Sequence, residues 1–168
     1  VVFWRLRSLI GASASAAIGP AWQFIVGARS APIDTSWGTR LDVNGDGYPD
    51  LAVGAGNRFL GSSGTTGHAY VYLGGASGVG ASPATTLTNP DGPEISFGAV
   101  VASAGDVNGD GYADLAVAAP RASSDTGRVY VYLGGASGLA TTPVATLARP
   151  VGTDGYFGRS VASTGDVN

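Results

Sequence analysis

Apolar and polar positions alternate along this chain in short bursts separated by Gly, Pro, Asp and Ser. At 128–133, Arg-Val-Tyr-Val-Tyr-Leu puts Val129 and Val131 on one face of a strand and Tyr130 and Tyr132 on the other. Val100–Ala104 leads into an acidic loop and Leu115–Ala119 leaves it, and Thr142–Leu147 is a weaker fourth strand. Nowhere do apolar residues keep a helical spacing over ten or more positions. The pattern predicts an all-β chain of short antiparallel strands.

The pattern also recurs. Residues 66–87 and 126–147 align at an offset of 60 with 14 of 22 positions identical, centred on Tyr-Val-Tyr-Leu-Gly-Gly-Ala-Ser-Gly. Asp-Val-Asn-Gly-Asp-Gly-Tyr-Pro-Asp-Leu-Ala-Val at 42–53 returns at 106–117 with 11 of 12 positions identical. Two units of 60 residues, 37–96 and 97–156, are followed at 157–168 by the opening of a third. That opening reaches Gly165-Asp166-Val167-Asn168 and stops inside the motif, so the C-terminus reads as a truncation and further units are expected. Four short strands per repeat is the arithmetic of a β-propeller blade. The first unit is irregular: Trp37-Gly38 to Asp42 is four residues shorter than Phe97-Gly98 to Asp106, and loop 57–66 regains those four. Its first strand, and the equivalence of Trp37 to Phe97, are therefore in doubt.

The repeated acidic segment carries the chemistry. Asp-x-Asn-x-Asp-Gly-x-x-Asp sets oxygen side chains at positions 1, 3 and 5 and again at 9, and in a tight loop alternate side chains converge on one point. Glycine at position 6 (Gly47, Gly111) permits the sharp turn, and the residue at position 7 would offer its backbone carbonyl. With neither His nor Cys among them, the donors are hard oxygens that select Ca²⁺. The alternative is a plain Asx-turn, in which Asp and Asn bond their own backbone; two near-identical copies, each running into an apolar strand, argue against it. Flanking helices and a Glu at position 12 are absent, so this is not an EF-hand.

Composition narrows the function classes. Glycine is 28 of 168 residues, far above ordinary usage, in keeping with a turn-rich chain. There is no cysteine, hence no disulfide, thiolate metal site or cysteine nucleophile, and no lysine, so Schiff-base and P-loop chemistry are excluded. A net charge of −3 without a basic cluster argues against a nucleic-acid partner. The single histidine, His68, has Arg128 as its counterpart and reads as a solvated strand end. Leu73-Gly74-Gly75-Ala76-Ser77-Gly78 lacks the Gly-Lys-Ser/Thr of a phosphate cradle and reads as a turn.

At these residues the sequence resembles the FG-GAP repeat of integrin α-subunit propellers and of bacterial secreted proteins. Phe97-Gly98 and Phe157-Gly158 match the "FG"; Val117-Ala118-Ala119-Pro120 matches the "GAP" segment loosely, and Val53-Gly54-Ala55-Gly56 matches it with proline replaced. The resemblance covers roughly 37–168 and implies a seven-bladed extracellular propeller engaged in adhesion or ligand binding, of which this chain carries under half a ring. It implies Asp42, Asn44, Asp46, Tyr48 and Asp50 as ligands of one structural Ca²⁺ and Asp106, Asn108, Asp110, Tyr112 and Asp114 as ligands of another, with Asp166 and Asn168 half a site. The expected partner is a protein or carbohydrate at a cell surface or matrix.

Two rival functions remain open: a carbohydrate-binding, lectin-like propeller, and part of a calcium-dependent polysaccharide-degrading enzyme. The second needs catalytic residues that break the repeat. Outside the loops the acids are Asp34, Asp91, Glu94, Asp125, Asp154 and Asp166, and no pair recurs at matched positions. The expectation is a non-enzyme. The paired tyrosines Tyr70/Tyr72 and Tyr130/Tyr132, with Trp22 and Trp37, read as inter-sheet core. Partner contacts are expected at the variable loop, through Arg58, Phe59 and Leu60.

Residues 1–36 admit two readings. Arg5 and Arg7 precede 21 uncharged residues, Ser8–Ala28, which fits a secretory signal; Pro20 and Gln23 make it a poor membrane span. Alternatively Gly11-Ala12-Ser13, followed by Pro20, parallels Gly135-Ala136-Ser137 and Pro143 as the tail of a preceding blade.

Overall fold

The computed structural model describes residues 40–56, 66–93, 96–151 and 155–163, together with the backbone of four short strands nearer the N-terminus. Trp37, Arg58, Phe59, Leu60, Asp166 and Asn168, and the side chain of Trp22, lie outside the described residues. The chain divides into two units, 1–30 and 31–168. In the first, β1 (Val2–Trp4) pairs antiparallel with β4 (Trp22–Phe24), and β2 (Leu9–Ile10) with β3 (Ser13–Ala14).

The second unit holds two antiparallel meanders. In the more complete one, β8 (Val100–Gly105), β9 (Asp114–Ala119), β10 (Arg128–Tyr132) and β11 (Ala145–Ala148) lie side by side in chain order. The other is β5 (Leu51–Ala55), β6 (His68–Tyr72) and β7 (Thr85–Thr88), with no fourth strand among the described residues. The architecture is all-β, two propeller blades without a closed ring. No helix of the described residues is long and apolar enough to cross a membrane.

Strand alternation sorts the core into two layers. On one face of the four-stranded sheet Leu115, Val117, Tyr130 and Tyr132 pack with Ala69 and Val71 of β6, so the main core lies between the blades. Each valine or leucine among them, fully withdrawn from water, contributes about 1.5–3 kcal/mol. On the other face Ala116, Ala118 and Val129 are covered by Val100, Ala104, Phe157 and Val161. The matched face of the first blade fares differently. Leu51 is 48% and Val53 39% exposed, whereas Leu115 and Val117, their counterparts, are fully buried.

The FG-GAP residues act at the seam. Phe97 is fully buried, its ring 5.7 Å from that of Tyr130. Gly98 has φ +79°, and a Cβ there would land on the His68 carbonyl; Gly54, in turn, has no room for a Cβ because the Gly98 carbonyl occupies that place. The sequence Phe-Gly is thus a large apolar anchor beside a residue that must lack a side chain.

One expectation needs correction. The fourth strand begins at Ala145, not Thr142, because Pro143 has no N–H to give the ladder; the first bond to β10 is from the Val144 N–H to the Val131 carbonyl, 2.8 Å. A single helical turn, α1 (Ala122–Asp125), also follows β9. It is not an ordinary right-handed helix: Ser123, Ser124 and Asp125 have φ of 55°, 59° and 61°. For non-glycine residues that is left-handed backbone costing about 1–2 kcal/mol each. The turn is stitched to the following repeat by the Tyr156 N–H on the Asp125 carbonyl, 2.7 Å, and the Phe157 N–H on the Thr126 carbonyl, 3.1 Å.

Candidate metal centre

Both acidic loops enter a second strand, 42–50 before β5 and 106–114 between β8 and β9. Glycines at positions 4 and 6 make each loop possible: Gly45 and Gly47 have φ of 69° and 92°, Gly109 and Gly111 of 74° and 87°. Position 6 was legible from the motif. Position 4 was not assigned, although Asn-Gly is a turn signal in its own right.

The first carboxylate reaches across its loop. Asp42 Oδ2 accepts the Gly47 N–H at 3.0 Å, and Asp106 Oδ2 accepts the Gly111 N–H at 2.7 Å. Asn44 and Asn108 each donate their amide N–H to the following acid, Asp46 and Asp110, at 2.9 Å. Asp46 Oδ1 and Asp110 Oδ1 accept the Tyr48 and Tyr112 N–H groups at 2.9 and 3.0 Å. Much of each loop is therefore an Asx-turn network. Among the described residues no three Asp, Glu or His side chains are already gathered in a metal-holding cluster.

Position 9 does something the spacing did not reveal. Asp50 accepts the Val43 N–H on one oxygen and the Gly74 N–H on the other, at 2.7 and 2.8 Å; Asp114 does the same with Val107 and Gly134, both at 2.8 Å. It clasps its own loop to the Gly-Gly turn after the third strand. Those glycines are required by close approach: a Cβ on Gly134 would stand 2.8 Å from the Val43 carbonyl oxygen and 2.9 Å from Tyr112 Cβ. The loops also reach each other. The Ala113 N–H donates to the Asp42 carbonyl at 3.0 Å and the Gly135 N–H to the Val43 carbonyl at 2.8 Å.

The donor set suits a hard divalent cation. Asp42 is almost wholly buried, and its Oδ1 has no hydrogen-bond partner, an acceptor withdrawn from water with nothing in place to satisfy it. Burial pushes the Asp50 carboxyl above its ordinary value; the N–H groups of Gly74 and Val43 oppose this, and the neighbouring Asp42 and Asp46 add to it. Asp114 is raised in the same way, with Asp110 and Asp106 as the repelling neighbours. An adjacent cation would relieve that repulsion and favour the charged forms. The donor chemistry fits Ca²⁺, which the Asp and Asn oxygens at 42, 44, 46 and 50 and at 106, 108, 110 and 114 would hold.

Comparison with known proteins agrees with the repeat. The FG-GAP repeat family matches residues 37–72 and 97–132. The chain is 34% identical over 128 residues to integrin alpha-6 of Homo sapiens, a match covering 76% of this chain and 11% of that protein. It is 36% identical over 132 residues to integrin alpha-IIb of Mus musculus and 38% over 136 to that of Homo sapiens, covering 76% of this chain and 13% of each relative. Residues 37–72 and 97–132 thus match FG-GAP repeats, in a stretch similar to part of the integrin α-subunits, of whose length the chain spans about a tenth.

Proposed function

We propose that this chain is a calcium-stabilised stretch of an extracellular propeller that binds a partner in adhesion and catalyses nothing. The observation that carries the reading is the doubled acidic loop, with an unsatisfied buried Asp42 oxygen and two clasp carboxylates, Asp114 buried and Asp50 half-buried, raised by burial and further by their acidic neighbours. Calcium there would be structural, because each loop is built into the seam between strands and blades. The match to integrin α-subunits supports the adhesive role. Of the acids outside the loops, Asp91 is engaged by Arg128 and Tyr130, and Asp125 lies 3.8 Å from Arg121. Neither stands as half of an acid–base pair. A sugar-stacking role gains nothing from Tyr130 and Tyr132, which are buried.

The test is thermal melting with Ca²⁺, Mg²⁺ or chelator. A ligand at about 100 times its dissociation constant adds about 2.7 kcal/mol per site. Melting should rise in millimolar Ca²⁺ and much less in Mg²⁺. A melting temperature indifferent to both ions and to chelator refutes the metal; calcium-dependent turnover of a polysaccharide by homogeneous protein refutes the non-enzyme.

A further inference from the structure

A cleft of about 440 Å³ opens at the end of the second blade opposite its acidic loop, between the turn after β9 and the start of the third repeat. Its wall includes Ser96, Pro120, Arg121, Tyr156 and Arg159. Three independent features single it out. The first is cationic: Arg121 and Arg159 both line it. Arg121 Nη1 is buried without a hydrogen-bond partner, although its Nε lies 3.8 Å from Asp125. A buried guanidinium N–H left unmatched is an unmet donor of the strongest class.

The second is orientation. The Arg121 guanidinium lies over the Tyr156 ring, 5.9 Å from its centre, and the Arg121 backbone N–H donates to Ser96 Oγ at 3.0 Å. The ring thus backs the guanidinium on one side, and the backbone bond fixes where the side chain leaves the main chain. The third is strain. Among the described residues, the non-glycine ones at positive φ are Ser123, Ser124, Asp125 and Tyr156, all on the two turns that frame the cleft. Held backbone strain of this kind collects at ligand clamps.

We propose that this cleft recognises a carboxylate, and that its occupant is an Asp or Glu side chain presented by a protein ligand, gripped by Arg121 and Arg159. A planar, pre-oriented guanidinium with free N–H groups matches a carboxylate in geometry as well as charge. An acidic sugar carries the same group, but a pyranose would want the face of Tyr156, which Arg121 takes. The proposal names the ligand class for the binding module argued above and rests on that reading.

The experiment is an NMR titration of the isotope-labelled whole chain in calcium with N-acetyl-aspartate N-methylamide and its glutamate analogue. The asparagine analogue and trigalacturonate serve as comparisons. Saturable shifts at Arg121, Tyr156 and Arg159 with an acidic amide, and none with the asparagine analogue, are expected. Arg159→Gln, at an exposed residue, should weaken binding at least tenfold, and Arg121→Gln likewise. Equal response to the asparagine analogue, or undiminished binding by Arg159→Gln, overturns the site. Binding of trigalacturonate tighter than both amides overturns the choice of a protein ligand. The probe reads the cleft directly, so a silent cleft in protein that still captures a macromolecular partner condemns the site alone.

Discussion

Replacing Gly134 by alanine should damage the fold far more than replacing Gly135, its neighbour. At Gly134 the new methyl would meet the Val43 carbonyl oxygen at 2.8 Å and Tyr112 Cβ at 2.9 Å, and would collide with the Ala113 carbonyl. None of these atoms is a flexible side-chain end, so backbone must move. Overpacking of this kind costs about 1–3 kcal/mol. The movement also breaks the bond from the Gly134 N–H to the buried Asp114 carboxylate, 2.8 Å, worth about 1.5–3 kcal/mol as a bond to a charged group. Loss of glycine entropy from the unfolded chain returns about 0.4–1 kcal/mol. The net is about 2–5 kcal/mol, or roughly 4–20 °C in melting temperature for a chain of this size. At Gly135 the nearest atom to an added Cβ is the Gly138 carbonyl oxygen, 3.8 Å away, so that variant should melt within a few degrees of wild type. Calorimetry of the three proteins in the same calcium buffer decides. Equal melting of the two variants would refute the close approach of the Gly-Gly turn to both acidic loops.

Three further outcomes follow from the same structure. Asp110→Ala removes the acceptor of the Asn108 amide and Tyr112 N–H and one carboxylate of the second site, so calcium titration by calorimetry should lose one site of two while the first survives. Asp91 is held below its ordinary value by the Tyr130 hydroxyl and then by Arg128. A depressed carboxylate stabilises the fold above the unfolded value of 3.8 and loses that effect as pH falls through the folded value; Asp91→Asn should therefore be less stable than wild type near neutrality and converge with it in acid, and parallel stability–pH curves would be contrary. The exposed Leu51–Val53 face is the counterpart of a buried one, so the double change Leu51→Ser, Val53→Ser should reduce self-association in sedimentation without lowering the melting temperature; unchanged association would show that the face is not adhesive.

Much of the fold was legible because the strand signal is local. The Tyr-Val-Tyr alternation fixed β10 to within a residue, and its two faces enter separate cores as the period of two requires. What escaped was set by tertiary approach. Gly74 and Gly134 read as turn residues, since nothing nearby in sequence discloses that a carboxylate 20 or 24 residues earlier waits for their N–H groups. Asp50 and Asp114 read only as ligands for the same reason. The left-handed run at Ser123–Asp125 gave no warning either, because Ser and Asp suit many turns and the strain is held by bonds to Tyr156 and Phe157. The Arg121 cleft was invisible because its walls are brought together by three segments distant in sequence.

The hydrogen bonds that join the two acidic loops give synthesis a direction. The carbonyls of Asp42 and Val43 find their partners at Ala113 and Gly135, so the first loop is finished only when the second repeat has left the ribosome. The 85 residues from Asp50 to Gly135 take about 4–17 s to make at ordinary elongation rates. For those seconds an acidic loop stands complete in sequence but open on one side, its carbonyls bonded to water. A ribosome paused between the repeats would lengthen that exposure. Each repeat in such an array thus matures one repeat late.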